Sequence, residues 1–342
     1  MSDPLPSTEH PVTARDWSRV LAQYRSPDPV RSALELAVTL VPFIATWAVA
    51  WWMLSYSTPL ATMLALGNAA FLVRLFMIQH DCGHGSFFRS KRLCNWLGRA
   101  IGVITLTPYD VWRETHAIHH SCTGNLDRRG IGDLPTLTVA EYRAKNKIGR
   151  ALYGLVRHPL FLFVVVPFYS FFLQNRLPVG LMRSGWKYWL SAMATNVAIA
   201  LILVALLWFG GTEVLAFVFL PTMLLAAMTG MWFFYVQHQF EHTSWNHEAD
   251  WDIHDAALEG SSHYVLPPIL RWITGNIGVH HVHHMASRIP FYRLPDVLRD
   301  HDALANSNRV TLRQSLSCAR LALWDQSSGR LVTFAEARRA PA

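Results

Sequence analysis

The chain has 342 residues, 51% of them hydrophobic and only 15% charged, with a formal net charge of +7 and a mean hydropathy of +0.18. A soluble protein of this length carries about a quarter charged residues, so the composition excludes an ordinary water-soluble globule. The positive charge flanks apolar segments instead of forming a patch of its own, which points to membrane orientation and away from a nucleic-acid surface.

Residues 1–30 are polar, contain proline and lack an apolar core, so no cleavable signal peptide is expected and 1–32 reads as a cytosolic tail. From Leu36 to Val73 there is no Asp, Glu, Lys or Arg, and between Lys187 and Glu241 the only charge is Glu213. Each run is long enough for two spans joined by a tight turn. Ser57-Thr58-Pro59 and Gly210-Gly211-Thr212 supply the turns. The expected hairpins cover 33–56 with 59–80, and 188–209 with 213–236.

Between them, residues 98–109 are apolar but too short to span, and read as re-entrant or interfacial. Over 138–158, Lys145, Lys147, Arg150 and Arg157 interleave with Ile148, Leu152 and Leu155, as in a basic amphipathic helix lying on a membrane. Residues 159–175 are aromatic and broken by Pro167, so again interfacial or partly inserted.

The fold expected is an all-α integral membrane protein, with two transmembrane hairpins (four spans), interfacial helices and a cytosolic helical cap. The membrane and catalytic domain would run over 33–300, followed by a cytosolic segment 301–342. Arg15, Arg19, Arg25 and Arg31, the basic run from Arg143 to Arg157, and Arg183 with Lys187 would share one side, while the two inter-span turns carry no Lys or Arg. That asymmetry has both hairpins entering from the cytoplasm, with the basic residues at anionic headgroups. Cys82, Cys94, Cys122 and Cys318 form neither CxxC pairs nor a disulfide framework and read as small reduced residues.

Histidine carries the chemistry. His80 and His84 are four apart; His116, His119 and His120, and again His280, His283 and His284, follow an i, i+3, i+4 spacing that shares one helix face. His238 and His242 add a looser pair after the last apolar run. An even number of crossings precedes each cluster, so all would emerge on one cytoplasmic side and can converge. Neutral imidazole is the commonest metal ligand, and eight or more exceed what one ion can use. Four or five per ion with a position left open suits two octahedral or near-octahedral ions, whereas tetrahedral structural zinc stops at four.

His10, His158, His254 and His301 read as satisfied polar groups. His247-Glu-Ala-Asp-Trp251 lacks the second histidine of a zinc-protease HExxH. A bis-histidine haem protein or a metal transporter, the lesser readings, would set histidines on opposed spans within the bilayer. A metal-bound imidazole donates its other N–H to a carboxylate or carbonyl. Asp81, Asp127 and Glu241 are the chosen candidates, with Glu114 and Asp133 also close in sequence. For each, a salt bridge to Arg113, Arg128 or Arg129 is an equal alternative. Trp112, Trp232, Phe233, Phe234 and Tyr235 are candidates to line an acyl channel, with an interfacial aromatic belt the reading for most of them.

The order HxxxH, HxxHH, HxxHH between paired spans resembles the membrane fatty acid desaturase superfamily over most of residues 35–300. The stretches from Gln79 to Phe88, Arg113 to His120 and His280 to Tyr292 are similar to its bacterial acyl-lipid Δ12/ω6-like branch. The resemblance implies two iron ions (Fe2+/Fe3+), O2 as co-substrate, and insertion of a cis double bond into a membrane-lipid acyl chain, in a bacterial inner membrane with both termini cytoplasmic. The related alternative is a hydroxylase or ketolase acting on an alkane, carotenoid or sphingolipid.

His80, His84, His116, His119, His120, His280, His283 and His284 match the three boxes, and His242 the additional histidine after the final span. His238 would reach a metal directly or through water, and His281 has no box position. No catalytic residue is implied beyond the metal centre. The chain lacks the His-Pro-Gly-Gly signature of a fused cytochrome b5, so a separate ferredoxin-like electron donor is expected.

Overall fold

The computed structural model describes residues 13–339; His10 and the first part of the polar tail lie outside the described residues. The first hairpin follows from its caps. Asp28 accepts hydrogen bonds from the Val30 and Arg31 amides, and Pro29 takes the first helical position, opening the helix Pro29–Met53. Ser57 caps the returning helix Thr58–His84, which ends on left-handed Gly85 (φ 65°). Twenty-seven residues make a rod of about 40 Å, longer than a bilayer core of about 30 Å. Its last turns, bearing His80 and His84, therefore have length to project beyond the hydrocarbon.

The helical segment Trp186–His238 is apolar apart from Lys187 and Glu213, and with the two helices above it makes, among the described residues, three stretches long and apolar enough to cross a membrane. It does not run straight. Ser191 Oγ accepts from the Asp110 amide, and His238 Nε2 lies 3.1 Å from His119 Nε2. Asp110 and His119 sit on one helix, Tyr109–Cys122, yet a straight rod would separate Ser191 from His238 by about 70 Å. The chain folds back at Gly211, the one residue in the first arm with non-helical dihedrals (φ 67°, ψ −170°). A Cβ at that φ would be strained, so the turn needs glycine.

Two expected elements are divided. The apolar stretch 98–109 is two pieces: the helix Lys91–Ile104, and a turn through Leu106 (φ 56°) into Tyr109–Cys122. Gly98 lets the two helices touch, since a Cβ there would lie 2.2 Å from the Tyr109 ring. The helix exposes Trp96 (68%) and Leu93, as a membrane-lying face does.

The segment 138–158 breaks into Val139–Ala144 and Lys147–Val156, because Asn146 caps a new start; Ile148 (71%), Leu152 and Leu155 stand exposed on the second piece. Phe161–Arg176 is helical but bent 61° from the helix before it, which makes this pair either a broken span or a re-entrant loop.

The fold is mostly helical, consistent with the all-α membrane fold expected, with a few short strands. Leu137–Thr138 pairs parallel with Leu321–Asp325, which pairs antiparallel with Arg330–Thr333, and His263–Val265 pairs parallel with Arg309–Thr311. These pairings join the C-terminal segment to the body. Leu321, Trp324 and Leu331 share a core with Tyr235 and Val236 at the end of the last long helix. Tyr235 Oη and Arg157 both donate to the Leu321 carbonyl, and Tyr153 Oη donates to that of Ala322 (2.6 Å). Strands of two to five residues, two of whose three pairings span more than 40 positions, leave no periodicity to read.

Candidate metal centre

Three helices and one helix end deliver the histidines. His80 and His84 close the long helix Thr58–His84. His116, His119 and His120 lie on Tyr109–Cys122, and His280, His283 and His284 on the short helix His280–Met285, whose first amide is tied to the Ser262 carbonyl (3.1 Å). His238 is the last residue of Leu220–His238. Nine imidazoles meet in two groups, each with nitrogens within 4.8 Å of one another. One holds His80, His84, His116, His120 and His283; the other holds His119, His238, His280 and His284.

The distances say what the groups are built for. In the first, Nε2 atoms follow one another at 3.1 Å from His84 to His116 to His120 to His283. In the second, they run His119, His238, His280, His284 at 3.1, 2.9 and 3.1 Å. An imidazole nitrogen has one in-plane site, either an N–H or a lone pair, so a nitrogen with two such neighbours cannot hydrogen-bond both. A cation shared by the lone pairs accounts for the spacing. An edge of 3.1 Å corresponds to an octahedral metal–nitrogen bond of about 2.2 Å, whereas a tetrahedral one would have to be about 1.9 Å, below zinc–imidazole lengths. The donor set fits two ions with octahedral-type edges.

The electrostatics agree. Burial first, and then the neighbouring imidazoles, hold His116, His120, His280, His283 and His284 well below 6.5, so they are neutral donors at physiological pH. Two of the second nitrogens are fixed from behind. His119 Nδ1 donates to Asp133 Oδ1 at 2.5 Å and His238 Nδ1 to the Gly260 carbonyl at 3.2 Å, leaving Nε2 free for a metal; His80 Nδ1 has only a long contact to Asp81 (3.4 Å). Asp133 can reach because Gly132 passes tight beneath the helix, where a Cβ would lie 2.7 Å from the Thr115 carbonyl.

Several sequence expectations fall elsewhere. His242 stands exposed and outside both groups, and His238 takes a place within one. The two histidines are four apart, but the backbone leaves the helix at Gln239 (φ −116°, ψ 67°), so their rings do not share a helix face. Asp127 turns outward and pairs with His247 (2.9 Å), and Glu241 pairs with Arg330 (3.0 Å). Asp81 accepts from the Phe291 amide (2.7 Å). His281 is buried and contacts the Leu304 carbonyl (2.9 Å), outside both groups.

An apolar cavity of about 320 Å³ ends on the centre, touching His80, His116 and His280. One wall is the Leu72, Val73, Phe76, Met77 stripe of the first hairpin; another is the Met223, Ala226, Ala227, Gly230 stripe of the second. Leu72 lies about 12 Å along its helix from His80, so the space is elongated. Trp112, Phe233 and Phe234 line it. Trp232 and Tyr235 do not: they bond Tyr264 and the Leu321 carbonyl.

A model of the family described as "Fatty acid desaturase" matches residues 55–315. The chain belongs to the fatty acid desaturase family. A Bacillus subtilis protein named "Fatty acid desaturase" is 38% identical over 96% of this chain and 92% of its own length. Two Synechocystis proteins, an "sn-1 acyl-lipid omega-3 desaturase (ferredoxin)" and an "sn-1 oleoyl-lipid 12-desaturase", are 31% and 26% identical over 64% and 65% of this chain. The chain spans 61% and 63% of those two proteins. It is thus a membrane-type desaturase with a histidine centre able to hold metal, and the long apolar helices are those of a membrane protein.

Proposed function

We propose that this desaturase uses two irons and O2 to place a cis double bond in the acyl chain of a membrane lipid. One iron would be held by His80, His84, His116, His120 and His283, the other by His119, His238, His280 and His284. When bound, the pair would supply reductive O2 activation and the oxidising strength to remove hydrogen from an unactivated methylene. The observation that carries the reading is the cavity: elongated, apolar and of ligand size, it ends on both histidine groups. Its walls keep water from the reacting carbons and hold one carbon pair against the imidazole-lined end. Trp112, stacked on His116 at 4.7 Å, restrains that ring at the cavity surface.

The topology proposed has four spans, with the fold-back at Gly211 separating the last two and the histidines and both termini on the cytoplasmic side of a bacterial inner membrane. Arg and Lys residues beside the cytoplasmic ends, and none in the turns, support it. The reducing equivalents would come from a separate ferredoxin-like protein, ferredoxin being named for the Synechocystis omega-3 desaturase.

Expression in a bacterium whose lipids are saturated and monounsaturated tests the reading. New double bonds by mass spectrometry, with about two irons per purified chain, are expected. Hydroxylated lipid alone would replace desaturation by hydroxylation, and stoichiometric zinc without iron would sink the diiron assignment.

A further inference from the structure

A buried ion pair lies at the level where the first hairpin meets the cap, and none of the chemistry above uses it. Arg74 (1% exposed) pairs with Glu35 (4%), donates from Nε to Thr39 Oγ1 at 3.2 Å, and donates to the main-chain carbonyl of Trp272. Its guanidinium sits 4.1 Å from the Trp272 ring and 5.1 Å from that of Phe291. Arg31, half-exposed, meets the other Glu35 oxygen at 2.7 Å. Charges inside a membrane protein are costly, and an apolar pair of similar volume would often be at least as stable. Holding the two long helices together therefore does not by itself explain this network.

What distinguishes Arg74 is the segment it grips. The segment 268–278 crosses the helix Thr58–His84 as a strap. Trp272 docks on Arg74 and Phe71 at one side. Gly275 rides over Met77, where a Cβ would lie 2.9 Å from the Met77 Cβ. Gly275 and Asn276 are both left-handed (φ 54° and 53°), which turns the chain across the helix, and Asn276 is tied to the Phe291 carbonyl (3.2 Å). On the far side Thr274 and Ile277 form part of the cavity wall, and two residues after Gly278 the chain enters the third box at His280.

We propose that Arg74 is a positioning residue which, through the Trp272 carbonyl, sets where the strap lies and so which carbon pair of the acyl chain faces the histidines. This inference rests on the desaturase reading above. The carbonyl is the specific link: an apolar substitute can fill the space beside Trp272 but cannot hold its main chain in register. A misplacement of about 1 Å at a reacting centre costs on the order of a hundredfold in rate, enough to let a neighbouring carbon pair compete.

The test is the double variant Glu35→Leu/Arg74→Met, which removes both charges together, alongside Arg74→Lys, which keeps the charge toward Glu35 but loses the planar fork that also serves Thr39 and Trp272. Product position is read by mass spectrometry of cellular lipids, with iron per chain and thermal unfolding measured on the purified proteins. The expected result is unchanged iron content and a Tm within a few degrees, with minor positional isomers rising at least about threefold in both variants.

An unchanged isomer ratio in a folded, iron-loaded double variant would overturn the proposal. If that variant fails to fold, an unchanged ratio in Arg74→Lys overturns it instead. Should the natural chain itself make no new double bond, the desaturase reading fails and not the strap alone.

Discussion

Asp133→Asn tests how the centre is held. Asp133 Oδ1 accepts from His119 Nδ1 at 2.5 Å, and the carboxylate side chain is only 7% exposed. A hydrogen bond to a buried charged acceptor contributes about 1.5–3 kcal/mol. A partner behind a metal-bound imidazole is worth 10–100-fold in affinity, or about 1.4–2.8 kcal/mol. The two estimates agree. Asparagine keeps the shape, but its NH2 can turn toward Nδ1 and favour the tautomer that places a proton on Nε2, where the metal must bind.

The variant should insert normally yet lose iron from the group of His119, His238, His280 and His284, dropping content from about two towards one per chain and releasing the second iron to a chelator 10–100 times faster. Asp127→Asn is the control, because Asp127 faces outward to His247. Full iron with an unchanged release rate in Asp133→Asn would refute the argument, as would equal losses in the two variants.

Three further outcomes follow from the same geometry. His238→Ala should lose metal and product while His242→Ala keeps both, measured by iron content and lipid analysis, since only His238 lies among the nitrogens. Gly230 lines the cavity, and no atom comes within 4 Å of where its Cβ would stand, so Gly230→Phe should place a ring in the acyl space. Desaturation should then fall at least about tenfold with iron retained; undiminished product would remove this cavity as the acyl site.

The metal-free protein should weaken in acid. His116, His120, His280, His283 and His284 stay unprotonated when folded, but in the unfolded chain each takes up a proton below about 6.5. The unfolded state therefore binds more protons as pH falls. Each histidine costs about 1.4 kcal/mol of stability per pH unit below 6.5, with little change above it. Thermal unfolding of the metal-free protein at pH 7.5 and 5.5 measures this, and equal Tm values would contradict it.

Much of this protein can be read from its sequence, because two of its periodicities are local. A charge-free run from Leu36 to Val73 and a run between Lys187 and Glu241 whose only charge is Glu213 mark the hydrophobic stretches, and Gly211 stands where the second turns. The i, i+3, i+4 spacing of the box histidines needs only a helix to place them on one face, and the boxes lie on helices. Chain-local rules also reach a limit. The resemblance puts the additional histidine at His242, but the helix ends at Gln239 with His238 among the nitrogens, and that ending is set by the backbone and not recorded in the spacing.

The carboxylates behind the imidazoles show the limit most clearly. Asp127 and Asp133 are equally plausible on the line of the sequence, but Gly132 brings one beneath His119 while the Asn125 turn sends the other to His247. How nine histidines divide between two groups, how the C-terminal strands close on Tyr235, and how Arg74 holds a strap nearly 200 residues away are contacts between segments far apart in the chain. Sequence alone determined the apolar spans, the turn at Gly211 and the number of imidazoles, since each depends on neighbours within a few residues. Which imidazoles fall in one group, and which side chains wall the cavity beside them, was decided only by packing, because those distances exist only once the helices have met.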